Sequence, residues 1–391
     1  MRFPLVGAIY QKEMLDLVRD RRTLISMVAV PLLVIPLMLN VSTRLISRLQ
    51  DKSEQEAKSM AVGVKVTTPA LREALGKAQI QIVDQDDLKD AVLKKTVAAG
   101  VEEIPGTPVQ VEIYADNSNP TSSAAAARVR AALDELKGQK IRESLRNSGI
   151  PESVLNPFVV KRINIAGARK MAGMAWGSVL GYVVLLLMFT GGMYPIIDMT
   201  AGEKERKTME ALLASPASRR EIVLGKSLAA MTAIFITAIL TLGSMTFSLK
   251  GNTMSSKSPE MQEMMREMPL DAHSLTLIAI TLIPIAMFAA SVMFAIALFA
   301  RSYKEGQSYL TPLLMVVIFP ALLGGMSGVE MSPALCLIPI FNASQMIRGI
   351  LQGDATMANF AITTAANLAY AGVAFVVATK TFEKESVLFR S

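Results

Sequence analysis

With 391 residues, 51% of them hydrophobic, and a formal net charge of +7, the chain is too apolar for an ordinary water-soluble enzyme. Its basic residues cluster beside apolar runs rather than along a polar face, which points to membrane flanks and away from nucleic acid. One cysteine, Cys336, excludes a disulfide framework, and one histidine, His273, leaves no basis for a histidine metal site.

Residues 1–23 open the chain. Val6, Ile9, Tyr10, Met14, Leu17 and Val18 recur at three- and four-residue steps, with Lys12, Asp16, Arg19 and Asp20 on the other side. That spacing predicts an amphipathic helix lying at the inner membrane interface. The segment carries charges of both signs, and the apolar run behind it outlasts a signal-peptide core, so no cleavable signal is expected.

A helix needs roughly 17–25 apolar residues to cross a bilayer. Six stretches qualify: Leu24–Val41, Met171–Ile197, Leu228–Leu249, Leu275–Ala300, Tyr309–Met326 and Phe360–Ala378. None holds a charged residue. The run from Pro333 to Phe341 is too short to cross. Pro333 and Pro339 make it a re-entrant or interfacial piece, taken as 333–351, tolerated only if buried in protein. Sixteen basic residues fall in the N-terminal segment, the 198–226 loop, the 301–304 loop and the C-terminal tail, against four (Lys250, Lys257, Arg266, Arg348) in the alternate short loops. The positive-inside rule then places both termini in the cytoplasm. Arg44, Arg48, Lys161, Arg162, Arg169 and Lys170 pull the other way, but long domains translocate largely regardless of charge.

Residues 42–170 read as a soluble domain between the first two spans, outside the membrane. AVGVKV (61–66), IQIVD (80–84) and VQVEIYAD (109–116) have strand character. DDLKDAVLKK between them has helical spacing, and Ser122–Arg146 reads as one long helix ended near Gly149 and Pro151. The expected fold is thus an α-helical polytopic membrane protein with six transmembrane helices and an inserted α/β extracytoplasmic domain.

The loop within 198–226 is the most informative stretch. Glu203, Arg206, Lys207 and Glu210 lie at helical spacing, Leu212 and Leu213 form an apolar face, and Ser215-Pro216 stops the helix. Ser218 then caps a new helix, with Glu221 three residues on completing a capping box. GEKERKTMEALLASPASRREIVLGK (202–226) resembles the signature loop of type-2 ABC exporter permeases, in particular the sodium-export (Nat-type) permeases. The resemblance extends to KEMLDLVRDRRTL (12–24), to the large insertion between the first two spans and to IPIFNASQMIRGILQGD (338–354), so it covers essentially the whole chain. It implies a coupling helix seated in a groove on a cytoplasmic ABC ATPase, with the amphipathic helix beside it. It also implies two such chains facing each other in the bacterial plasma (inner) membrane over two ATPase subunits, which bind the ATP and magnesium. This chain would hold no cofactor and would not be an enzyme by itself. Carried onto this sequence, the coupling residues are Glu203, Lys204, Arg206, Thr208 and Glu210, with Arg19, Asp20 and Arg21 adjacent. The cargo implied is sodium ion.

Other signals compete less well. Gly225-Lys226-Ser227 looks like the end of a phosphate-binding loop, but the leading glycine position is Arg220 and no strand precedes it. Gly325-Met326-Ser327-Gly328 matches the GxSG of rhomboid-type proteases, with His273 as the base, yet nothing else in the chain does; Gly324 and Gly328 read more simply as helix packing. Met261, Met264, Met265 and Met268 form a thioether stripe that copper(I) would accept, although methionines on one helical face pack readily against lipid or protein. Gly173, Gly177 and Gly181 form a strip for close helix approach, within the chain or across a dimer. Thr237, Thr241 and Ser244, with Thr363, Asn367 and Tyr370, form neutral oxygen stripes that could line a translocation path or bond to neighbouring helices. Such stripes suit an amphipathic lipid, peptide antibiotic or drug as well as sodium. A non-transporting sensor with a ligand-binding outer domain is the alternative of another class; co-purification with an ATPase separates the two.

Overall fold

A computed structural model describes residues 2–106, 108–151, 154, 168–253, 271–326, 329 and 331–384. Ser327, Gly328, Lys161, Arg162 and the methionines at 261, 264, 265 and 268 lie outside the described residues. The chain divides into two compact units, Met1–Asn40 with Asn164–Ser391, and Val41–Ile163.

The first unit is helical. Helix α1 (Phe3–Arg19) starts on Pro4 and ends at Asp20. Asp20 takes an extended conformation and caps the next helix, its carboxylate accepting from the N–H groups of Arg22 and Thr23. Among the described residues, six helices are long and apolar enough to cross a membrane: α2 (Arg21–Ser59), then Arg169–Glu205, Arg219–Leu249, Ala272–Ala297, Tyr303–Gly325 and Met357–Glu383. Each contains one of the expected spans or nearly all of it. The first differs most in extent. The expected end was Val41, but α2 runs on to Ser59 because the polar sequence after the apolar run, RLISRLQDKSEQEAKS, is itself helix-forming. The division between the units falls inside it.

The second unit holds a four-stranded sheet: β1 (Val62–Lys65), β2 (Ile82–Asp84), β3 (Gly100–Ile104) and β4 (Gln110–Tyr114), in the order β2-β1-β3-β4. β1 runs parallel to β2 and β3, and β4 is antiparallel to β3. Parallel neighbours need crossover connections, and helices α3 (Pro69–Lys77) and α4 (Leu88–Leu93) supply them. Long helix α5 (Pro120–Asn147) lays Ala125, Val129 and Ala132 into the same core as Val62, Val64, Leu75 and Val101. Three strands and two helices follow the sequence expectation. β3 and α3 do not: GVEEI puts two glutamates side by side and hides its alternation, and PALREALGK is only nine residues long.

In the first unit the chain continues as α6 (Arg169–Glu205, with a π stretch at Asp198–Gly202), α7 (Thr208–Leu213), α8 (Arg219–Thr253), α9 (Ala272–Ala297) and α10 (Tyr303–Gly325). A short 3-10 turn at Leu335–Leu337 leads to α11 (Phe341–Gln352) and α12 (Met357–Glu383). The turn into α11 is tight: Phe341 N–H donates to Pro339 C=O at 2.8 Å, with Ile340 at a φ of 71°.

Helix α11 lies in the short segment expected to be re-entrant. At twelve residues it reaches only about 18 Å, too short to cross a bilayer core of ~30 Å. Nearly all its side chains are buried, polar Asn342, Ser344, Gln345 and Arg348 among them. Small residues let it in. A Cβ at Gly173 would stand 2.6 Å from the Leu351 carbonyl, one at Gly177 3.1 Å from Arg348 Cα, and one at Gly181 3.2 Å from the Ser344 carbonyl. The glycine strip of α6 therefore faces α11 of the same chain. Arg348, counted above among the basic residues of the alternate short loops, is 6% exposed. Its guanidinium donates to the carbonyls of Gly325, Met326 and Val329, where α10 ends.

Contacts sort the connections into two ends of this unit. At one end, Lys204 Nζ donates to the Leu298 and Ala300 carbonyls, Tyr303 N–H donates to Glu205, and Arg220 pairs with Glu383 at 3.0 Å. At the other, Lys170 pairs with Asp354 at 2.9 Å and Arg169 reaches Ser274. The N-terminal segment, the 198–226 loop, residues 301–304 and the end of α12 thus share one end, the grouping that loop charge predicts.

Candidate coupling site

The 198–226 loop is built by local rules. Lys207 takes a left-handed φ of 59°, which breaks the helix after Glu205 and starts α7. The capping box forms as read: Ser218 N–H donates to Glu221 Oε2 at 2.8 Å, and Glu221 N–H to Ser218 Oγ at 3.4 Å. Glu221 does more, because Arg2 N–H donates to its Oε1 at 2.6 Å and the Arg2 guanidinium pairs with its Oε2 at 3.2 Å. The start of α1 is thereby tied to the start of α8.

Farther along, α1 crosses α8 at a glycine. A Cβ on Gly225 would come within 2.7 Å of the Ile9 side chain, so the two helices are as close as backbones allow. Four charges lie beside that crossing. Lys226 Nζ, fully buried, donates to Glu13 Oε1 at 2.7 Å and to the Met199 carbonyl at 3.0 Å, and stands 2.8 Å from Glu203 Oε2. That last contact is an ion pair whose angle falls short of a hydrogen bond. Lys12 Nζ completes the set, 2.7 Å from Glu203 Oε1 and 3.0 Å from Glu13 Oε1, with Asp16 at 3.3 Å. Lysines and glutamates therefore alternate around a closed ring, and Glu13 and Glu203 are 2% and 3% exposed. Burial works to lower the Lys12 pKa, but its hydrogen bond to Glu203 and the fields of Glu203 and Glu13 outweigh that and hold the ammonium above its ordinary range.

The expected coupling residues divide between this interior and the surface. Glu203 was expected to contact a partner protein directly; instead both its oxygens are committed to Lys12 and Lys226. Lys204 caps the end of α9, Asp20 caps α2, and Arg206 pairs with Asp198 at 2.8 Å. The hydrogen bond from Thr23 holds the Asp20 carboxyl below its usual range despite partial desolvation, and the bond to Asp198 raises the already high pKa of Arg206. Arg19, Arg21, Arg206, Thr208 and Glu210 are exposed, with Thr208 Oγ1 3.3 Å from the Glu203 carbonyl. Glu13 and Lys226 escaped the sequence reading. The signal was there: Glu13 continues the buried stripe Val6, Ile9, Leu17, and Lys226 follows Ile222 by one turn.

Most side chains of the neutral stripes hydrogen-bond within the helical unit. Thr237, Thr241 and Ser244 are buried and donate to the carbonyls of Ala233, Thr237 and Thr241 in their own helix. Asn367 exchanges hydrogen bonds with Asn342 at 3.2 and 3.3 Å, and Tyr370 OH donates to the Leu337 carbonyl at 2.7 Å. Thr363 is buried with an unpartnered hydroxyl. His273 is exposed at the start of α9.

Long apolar helices, a helical loop and an amphipathic helix packed at its base make up the helical unit. The sequence profile described as "ABC-2 family transporter protein" matches residues 7–387. The chain belongs to that family. It is 26% identical over 396 residues to the ABC transporter permease protein NatB of Bacillus subtilis (strain 168), with 97% of this chain and 98% of the relative covered. It is therefore a multi-pass membrane protein of the ABC-2 permease class, a class that works with an ABC ATPase.

Proposed function

We propose that this permease is the membrane-spanning subunit of an ATP-driven exporter whose ATPase is a separate chain. Two copies would face each other in a bacterial plasma membrane, both termini in the cytoplasm, over two ATPase subunits holding ATP and magnesium. Residues 42–170 would lie outside. The observation that carries this reading is the joint at one end of the helical unit, where α1, the end of α6 and the foot of α8 are bonded together. Around that joint Arg19, Arg21, Arg206, Thr208 and Glu210 remain exposed, a charged face that suits a partner. Closing of the ATPase dimer on ATP would push that face and shift the helices toward an outward-open population.

For the cargo, the loop resemblance favours sodium ion. An amphipathic lipid, peptide or drug is the second reading: the hydroxyls of Thr237, Thr241 and Ser244 donate within α8 but keep their oxygen lone pairs, so these neutral stripes suit either cargo. Reconstituting the chain with its ATPase in liposomes and following ATP-dependent movement of labelled sodium tests both. Sodium movement upholds the first cargo; hydrolysis stimulated by a hydrophobic compound alone upholds the second. If no ATPase co-purifies with the chain, the exporter reading fails and the sensor takes its place.

A further inference from the structure

We propose that Lys12, Glu13 and Lys226 are positioning residues for energy coupling: with Glu203 they form a closed ring of alternating charge that makes α1, the end of α6 and the foot of α8 move as one body. This rests on the exporter reading above.

Each member of the ring touches two members of opposite sign, at 2.7, 3.0, 2.7 and 2.8 Å around the circuit. They come from α1, the end of α6 and the foot of α8, so no local helix rule places them together. Three of the four are almost wholly buried, and Lys12 forms the rim. Buried charges are tolerated only while paired; pulling one partner away strands the rest in a medium of low dielectric. Sliding α1 against α8, or the 198–226 loop against either, would do that to at least two charges at once. The Gly225 crossing adds a steric key, because the Ile9 side chain already fills the space a Cβ would need. A solvated loop could flex under a push from an ATPase and lose the displacement; a loop locked through Glu203 to Lys226 passes it to α8 and α1.

The test uses the full chain with its ATPase in lipid nanodiscs, in a Cys336→Ser background. Spin labels at Gln11→Cys on α1 and Lys207→Cys in the loop, both exposed, report the distance across the ring. Lys207→Cys with Met357→Cys, at the far end of the unit, gives a reference pair. Between the nucleotide-free and ATP–vanadate states, the reference distance should change while the Gln11–Lys207 distance stays constant and narrow. The neutral triple variant Glu13→Gln/Glu203→Gln/Lys226→Met leaves no lone buried charge, and in it the Gln11–Lys207 distribution should widen or shift with nucleotide. A Gln11–Lys207 distance that changes in the otherwise native chain overturns the proposal. So does a constant distance in the triple variant, which would assign the lock to packing at Gly225. A reference pair that ignores nucleotide in an assembled complex overturns the exporter reading itself, and this one with it.

Discussion

Lys226 and Arg348 are both cations buried in the helical unit, and they are neutralised by different means. Lys226 has two carboxylates, on α1 and at the end of α6. Arg348 has backbone carbonyls at the end of α10, where the helix dipole is negative. The first arrangement depends on side chains from three segments, so it registers how those segments stand relative to one another. The second depends on backbone that no substitution removes, so it is a tie between α11 and α10 and little more. Gln345 supports the tie, its amide donating to the Val329 carbonyl at 3.2 Å.

The contrast can be tested most severely at Lys226. Lys226→Met leaves two buried carboxylates with one half-exposed lysine, and should destabilise the purified chain by about 3–5 kcal/mol, read as a lower thermal midpoint. Adding Glu13→Gln and Glu203→Gln should recover most of that, since the whole set can be neutralised together. A single Lys226→Met chain that melts with the unmutated protein would mean the charges are solvated.

Arg348→Met cannot be repaired in that way. It strands three carbonyls and should cost about 3 kcal/mol. Arg348→Lys should recover only part of the loss, because one ammonium does not span what a planar fork spans. Full recovery by lysine would make charge rather than geometry the essential property.

The slot that receives α11 gives a smaller effect. Gly173→Ala should cost about 1–3 kcal/mol, because its Cβ meets rigid backbone at 2.6 Å, and Gly177→Ala less, since its nearest contact is 3.1 Å. Equal midpoints for the two variants would mean that α11 shifts freely along α6.

The smallest effect lies in the sheet-containing unit, where a carboxylate is held by neutral donors alone. Glu103 accepts from the Thr68 hydroxyl and N–H and from the Thr67 N–H and hydroxyl, which lowers its pKa from 4.5 to about 2. A depressed carboxyl pKa stabilises the fold above the unfolded value. That contribution is lost as pH falls from 4.5 toward 2. Glu103→Gln should weaken amide protection of β1 and β3 at pH 7 and flatten its decline in that acid window, after correction for intrinsic exchange. Identical profiles would show that the carboxylate is solvated.

Much of this could be read before any coordinates. The six spans follow from apolar run length, and the Ser218–Glu221 box from a three-residue spacing. The grouping of the 198–226 loop with the N-terminal segment, residues 301–304 and the end of α12 at one end of the helical unit follows from where lysine and arginine cluster. These are local or compositional properties, and the chain cannot avoid expressing them in a bilayer. The candidate coupling site was only half legible. Glu203 is named a coupling residue through the resemblance of its loop, and nothing local distinguishes a glutamate facing water from one facing a lysine 23 residues later. Glu13 and Lys226 did betray themselves, each occupying a buried-stripe position that an apolar residue would normally fill. What only the tertiary structure decided is the pairing itself. A charge can be buried on a helix face wherever an opposite charge arrives, and that arrival depends on how α1 crosses α8 at Gly225, on the π stretch that turns Glu203 inward, and on the fit of α11 against the α6 glycines. Such contacts join residues from 23 to some two hundred positions apart, and their free energy depends on distance in space rather than along the chain.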